Sequence, residues 1–124
     1  MIYYCDMSDT VFHKIIRGEL PSKKEYEDQE CIVIHSIGPK APVHLLVIPK
    51  VDLENLSKAD ESHVKLLGHL LLVAKSMAEK LGISEGFQVS INNGKKAGQE
   101  VFQLHIHVLG GWREEIDNDA RHKF

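Results

Sequence analysis

Two apolar, β-branched runs, "ECIVIHSI" and "VHLLVIP", stand on either side of the short joint "GPKAP". Parallel neighbours need a crossover of about a dozen residues or more, so this joint suits an antiparallel pair. A second pair follows the same logic: "GFQVSIN" and "VFQLHIHVLGG" flank the polar turn "NGKKAGQ" and read as strands bounded by turn residues. A further short strand is expected near Lys24 to Tyr26.

Helical period appears twice. "SDTVFHKIIRGELP" predicts a short helix capped by Ser8 or Asp9, with Phe12, Ile15 and Ile16 as its apolar stripe and Gly18 and Pro21 ending it. "NLSKADESHVKLLGHLLLVAKSMAEKLG" predicts a longer one with Ser57 as N-cap. Its buried face is read as Leu66, Leu67, Leu70, Leu71, Ala74, Met77, Ala78 and Leu81, with Gly82 in the left-handed position beyond its end. The order α, β, β, α, β, β with short joints predicts an α+β fold: an antiparallel sheet with helices packed on one face.

A chain of 124 residues reads as a single domain, 1–124, with its core at about 8–111 and a charged C-terminal tail at 112–124. Apolar residues make up 43% and charged ones 27%, an ordinary globular balance that argues against extensive disorder. The net charge of −3 without a dense basic stripe excludes a nucleic-acid duplex as the natural partner, while a small anion still fits. Cys5 and Cys31 form no Cys-x-x-Cys pair, and the longest apolar stretch, "LLGHLLLVA", is too short to span a bilayer. No signal peptide is read at the start. A soluble cytoplasmic protein with no membrane association is the expectation.

The chemistry concentrates in "QLHIHVLGG". In an extended strand Gln103, His105 and His107 share one face, neighbours about 7 Å apart, while Leu104, Ile106 and Val108 share the other. The first row is expected to meet solvent or a ligand, with His44 of "APVHLLVIPK" near it. Three readings follow. The pair is a satisfied structural feature, a histidine set for zinc, or a nucleophilic site. Three histidines serve some catalytic zinc sites, but no cysteine stands near these motifs to close a structural one. A glycine-rich turn, "NNGKKAGQ", precedes the strand and can cradle a phosphate with backbone amides. Nucleophilic attack on phosphorus explains the set most economically: one imidazole donates one ring N–H and attacks with the other nitrogen, while a second stays protonated to stabilise charge. His13, His35, His63, His69 and His122 carry no motif and read as surface or satisfied histidines.

"QLHIHVLGG" preceded by "NNGKKAGQEVF" resembles the signature of the histidine triad (HIT) family. "DTVFHKIIRGELPSKKEYED", "CIVIHSIGPKAPVHLLVIPK" and the long helix resemble its Hint branch, in order and spacing. The resemblance implies a five-stranded antiparallel sheet with two helices, pairing as a homodimer into a continuous sheet. It implies a purine nucleotide partner and hydrolysis of nucleoside phosphoramidates or acyl-adenylates through a nucleotidyl-histidine intermediate, with no cofactor or metal.

By position, His105 is implied as the nucleophile, oriented by the backbone carbonyl of Gln103. His107 is implied as a phosphate contact and His44 as a supporting histidine. Asn92, Gly98 and Gln99 are implied around the phosphate, Phe12, Ile15, Ile34 and Ile37 along the nucleoside pocket, and Ser36 facing the ribose. From residue type alone, the four apolar ones read more often as plain core, and only the resemblance shifts them to the pocket. Three departures stand out. Gln103 replaces the first triad histidine, Ser36 replaces an acidic ribose partner, and Glu100 stands where a serine is common. A carboxylate about 4 Å from a phosphate costs roughly 4 kcal/mol at an effective dielectric of about 20. The C-terminus also lacks the Trp-Pro-Pro-Gly end of some Hint proteins. These changes sustain an alternative: a catalytically degenerate HIT protein acting as a nucleotide-binding or protein-interaction module.

Overall fold

The computed structural model describes residues 9–115. Ser8, expected as a cap, and Cys5, His122 and the end of the tail lie outside them. Five antiparallel strands form one sheet: β1 (Lys24–Glu27), β2 (Cys31–His35), β3 (Val43–Pro49), β4 (Phe87–Ser90) and β5 (Ile106–Gly110), in the order β1-β2-β3-β5-β4. Helix α1 (Val11–Ile16) precedes the sheet, and α2 (Val64–Lys80) lies between β3 and β4. The expected α+β architecture is the observed one.

One face of the sheet presents Cys31, Val33, Leu45, Val47, Ile106 and Val108, and α2 covers it with Leu70, Val73, Ala74, Met77 and Ala78. The alternate residues Ile32, Ile34, Leu46 and Ile48 form a second cluster with Phe12 and Ile15 of α1. The two helices therefore lie on opposite faces, contrary to the expectation that both share one. The reason is in the strands themselves. β2 and the centre of β3 are apolar on both sides, so a single covering layer would leave four aliphatic side chains in water. Helix α1 has six residues; its cluster engages β2 and β3, with Val101 packed against it.

The helix caps also differ from expectation. Thr10 starts α1, its hydroxyl accepting the His13 N–H while His13 Nδ1 accepts the Thr10 N–H. This is a capping box closed by an imidazole instead of a carboxylate. Before α2 come two 3₁₀ turns, Leu56–Lys58 and Glu61–His63, capped by Asn55 and Asp60, so Ser57 lies inside a turn and caps nothing. On α2, Leu71 is 51% exposed and Val73 takes the buried place. Gly82 adopts φ +73° just past the helix, as its position predicts. Among the described residues no helix is long and apolar enough to cross a membrane.

Candidate active site

The register of β3, β5 and β4 builds the site. Leu46 lies opposite His107, which lies opposite Ser90, while His44 lies opposite Leu109 one row along. His44 and His107 thus meet diagonally on the face that α1 shares, with ring centroids 5.2 Å apart. His105 precedes β5, packs its ring against that of His107 at 4.9 Å, and meets the edge of Phe12 at 4.9 Å.

Hydrogen bonds to backbone decide which nitrogens carry protons. A carbonyl only accepts, so the 2.8 Å contact between His105 Nδ1 and the Gln103 carbonyl puts the hydrogen on Nδ1. His105 Nε2 then holds a free lone pair. The Lys40 backbone N–H donates to His44 Nδ1 at 3.1 Å, so neutral His44 carries its hydrogen on Nε2. That hydrogen is donated to His107 Nδ1 at 2.9 Å, which leaves the His107 hydrogen on Nε2. Two main-chain groups thereby set three imidazoles: one with a free lone pair, one with a free N–H, and one relaying between main chain and site.

Charge follows the same geometry. Burial lowers the pKa of His105 against the opposing effect of the Gln103 carbonyl. Burial, with the positive charge of Lys40 and the neighbouring His105, lowers His44. For His107, burial together with His105, His44 and Lys40 brings it down to about 4. The expectation that one imidazole stays protonated beside the phosphate is therefore not met in the free protein. His107 offers a neutral N–H donor instead.

Gln103 departs from its expected place. Its side chain is buried away from the row it was assigned to: its amide oxygen accepts the Leu53 N–H at 3.0 Å, and its amide nitrogen donates to the carbonyls of Pro49 (3.0 Å) and Val51 (2.7 Å). Regular pairing of β5 starts only at Ile106, so alternation does not extend back to this residue. Its carbonyl alone reaches the site.

Gln99 is likewise spent on the fold. It accepts from Asn55 Nδ2 and the Gly94 N–H and donates to the carbonyls of Glu54 and Val101. It shapes the turn, and its side chain has no capacity left for a phosphate. Gly98 adopts φ +87°, and a Cβ there would lie 3.2 Å from Asn92 Nδ2, so glycine lets the turn close over Asn92. Glu100 is exposed. Phe12, Ile15 and Ile34 are buried in the second cluster, which is the core reading; Ile37 is 95% exposed and Ser36 half-buried.

Beside these groups lies a small cavity lined by Lys40, His44, Ser90, Asn92, His107 and Leu109. Lys40, Ser90 and Leu109 were not singled out by sequence. Register with His107 would have found Ser90, and a cation four residues before His44 is a signal visible in "GPKAPVH".

A sheet of this order, with a β-strand imidazole pair whose tautomers are set by main chain, defines a compact HIT-type fold. Residues 17–114 match the HIT domain, and the chain belongs to the HIT family. It is 50% identical over 103 residues to an uncharacterized HIT-like protein of Synechococcus elongatus, covering 83% of this chain and 90% of the relative. It is 46% identical over 108 residues to a "14 kDa zinc-binding protein" of Zea mays, covering 86% and 84%. A HIT family hydrolase from Clostridium thermocellum superposes with TM-score 0.84 at 44% identity, covering 89% of this chain and 96% of that one. A histidine triad nucleotide-binding protein from Candida albicans superposes with TM-score 0.73 at 32% identity, covering 93% and 91%. The fold is that of HIT family hydrolases.

The relative from Zea mays is named for zinc binding. The three imidazoles do not form a ready ligand set: both nitrogens of His44 are engaged in the hydrogen bonds above, and the three rings do not form a donor group close enough to share an ion. Among the described residues one group of donors lies close enough to share a metal, Asp28, Cys31 and His69. Asp28 already accepts from the N–H groups of Glu30 and Cys31, from Tyr26 Oη and from His69. Burial pushes the Cys31 thiol up to about 12. This is a satisfied structural knot tying β2 to α2. Among the described residues the other unassigned histidines each lie beside a carboxylate: His35 pairs with Glu25, His63 with Asp60, and His13 Nε2 lies 2.8 Å from Asp52 without forming a hydrogen bond.

Proposed function

We propose that this protein is a Hint-branch hydrolase that cleaves purine nucleoside phosphoramidates or acyl-adenylates through a nucleotidyl-histidine at His105. The observation that carries this reading is the Gln103 carbonyl contact, which leaves His105 Nε2 unprotonated and aimed away from its own backbone. In the first step Nε2 attacks the α-phosphorus. In a phosphoramidate the phosphorus–nitrogen bond breaks and the amine departs with a proton taken from solvent; in an acyl-adenylate the phosphorus–oxygen bond breaks and the carboxylate departs as an anion. Water then attacks the phosphorus, the bond to Nε2 breaks, and the nucleotide leaves with His105 restored. His107 Nε2–H donates to a phosphate oxygen in both steps, and His44 holds His107 in that tautomer. Asn92 and the turn closed by Gly98 border the phosphate, and Ile37 and Ser36 border the nucleoside. No cofactor enters.

Gln103 in place of the first triad histidine leaves the chemistry intact in this reading, because the carbonyl belongs to the main chain. The alternative, a nucleotide-binding or protein-interaction module without turnover, draws support from the exposed Glu100 and the internally spent Gln99. We also propose a cytoplasmic homodimer with a continuous sheet, formed by adding a second copy along the outer edge of β4, the last strand in the order. Turnover of adenosine 5'-phosphoramidate, followed by AMP release, tests the enzyme reading. Release by the wild type and none by His105→Ala supports it; equal release by both refutes the assignment of the nucleophile. AMP binding without release hands the site to the module reading.

A further inference from the structure

The cavity beside the imidazoles has one cation on its wall. Lys40 lines it together with Ser90, Asn92 and the two histidines His44 and His107. Lys40 touches the site in two separable ways. Its backbone N–H fixes the His44 tautomer at 3.1 Å, and its side chain, on an exposed residue of the hairpin loop, lines the cavity. Among the described residues its side chain forms no ion pair.

We propose that this cavity is an anion subsite in which Lys40 receives a negatively charged group carried beyond the α-phosphate. Resting on the hydrolase reading above, it makes the preferred substrates nucleotide derivatives whose leaving portion is itself anionic, a carboxylate or a further phosphate.

Three observations lead there. The rings run in the order His105, His107, His44, with centroid steps of 4.9 and 5.2 Å, so the cavity lies beyond His107 from the nucleophile. In-line displacement sends the leaving group to the side of phosphorus opposite the attacking nitrogen. The cavity also offers an anion polar groups other than the lysine, the Ser90 hydroxyl and the Asn92 amide. Finally, burial, with the positive charge of Lys40 and the neighbouring His105, lowers both lining imidazoles and keeps them neutral at neutral pH. Lys40 is then the only fixed positive charge on the wall, and a second negative charge on the substrate has one partner available. Because Lys40 is exposed, the discrimination is on the scale of a surface ion pair, about fivefold, and weakens with added salt.

Lys40→Gln removes the charge and keeps the backbone N–H, so the tautomer relay is untouched; Lys40→Glu reverses the charge. Two adenosine 5'-phosphoramidates serve as probes, one bearing glycine on nitrogen and the other glycinamide, and they differ in one carboxylate. The expected result is a kcat/KM about fivefold higher for the glycine probe in the wild type, equal values in Lys40→Gln, and an inverted ratio in Lys40→Glu. Equal values in the wild type, or a preference that survives Lys40→Gln, would overturn the proposal for carboxylates. Calorimetric affinities for ADP and AMP form the second arm, independent of turnover. An ADP preference lost in Lys40→Gln supports the subsite with phosphate as its anion, even if neither probe is hydrolysed and the enzyme reading has failed. No Lys40-dependent preference in either arm overturns the subsite altogether.

Discussion

Gln103 provides the sharpest quantitative expectation. Its side chain makes three hydrogen bonds, all to main chain of residues 49–53: Leu53 N at 3.0 Å, Pro49 O at 3.0 Å and Val51 O at 2.7 Å. Replacement by leucine keeps the approximate volume, so the cavity term is small, and the hydrogen-bond term dominates. Each bond contributes about 1 kcal/mol net, and buried groups left without partners cost about 1–3 kcal/mol apiece. Water can reach the Val51 carbonyl, whose bond is only part-buried, and offsets part of that. Gln103→Leu is therefore expected to lose about 3 kcal/mol, read as a lower urea midpoint at unchanged m-value and a melting temperature lower by roughly 10 °C. Gln103→Glu adds a sign. A carboxylate accepts the Leu53 N–H but faces two carbonyls, so this variant should regain stability as the pH falls and the carboxyl acquires a proton to donate. A Gln103→Leu protein within about 0.5 kcal/mol of wild type would refute the view that this amide anchors the segment beneath the site.

Other expectations follow from the same geometry. His107 binds its proton near pH 4 in the folded chain and near 6.5 when unfolded, so the unfolded state binds more protons between those values. Stability is then fully present above about pH 6.5 and falls by up to about 3 kcal/mol as the pH drops towards 4; a His107→Gln variant should lose less over that window in urea melts. Nitrogen NMR should show His105 protonated at Nδ1 and His107 at Nε2 at pH 7, and His44→Phe should release the His107 tautomer while leaving that of His105 in place. Gly98→Ala should cost about 1–2 kcal/mol, because its φ of +87° is strained for any side chain and its Cβ would press on Asn92; calorimetric melting checks this.

The strand pairs were legible because short joints and apolar runs leave few alternatives, and Gly82 was legible because a left-handed residue past a helix is nearly always glycine. The opposite placement of α1 was also written in the chain, since "CIVIH" and "LLVIP" do not alternate and strands apolar on both faces need two covers. What escaped depends on distant partners. Period-2 reasoning put Gln103 beside His105, but the amide is drawn under residues 49–53, and the Leu104 N–H bonds to the Leu53 carbonyl, which delays regular pairing to Ile106. The capping box at Thr10 escaped because an imidazole does the work usually given to Glu or Gln. The neutral state of His107 escaped because burial, together with the charges of His105, His44 and Lys40, outweighs an imidazole's ordinary basicity, and of these only His105 is near it in sequence.

The most direct test of the central claim is an acid-quenched mass measurement of the wild-type protein mixed briefly with adenosine 5'-phosphoramidate, followed by peptide mapping. The account predicts a transient adenylyl adduct on the imidazole of His105, absent in His105→Ala. An adduct mapped to His107 or His44, or turnover that persists in His105→Ala, would contradict it.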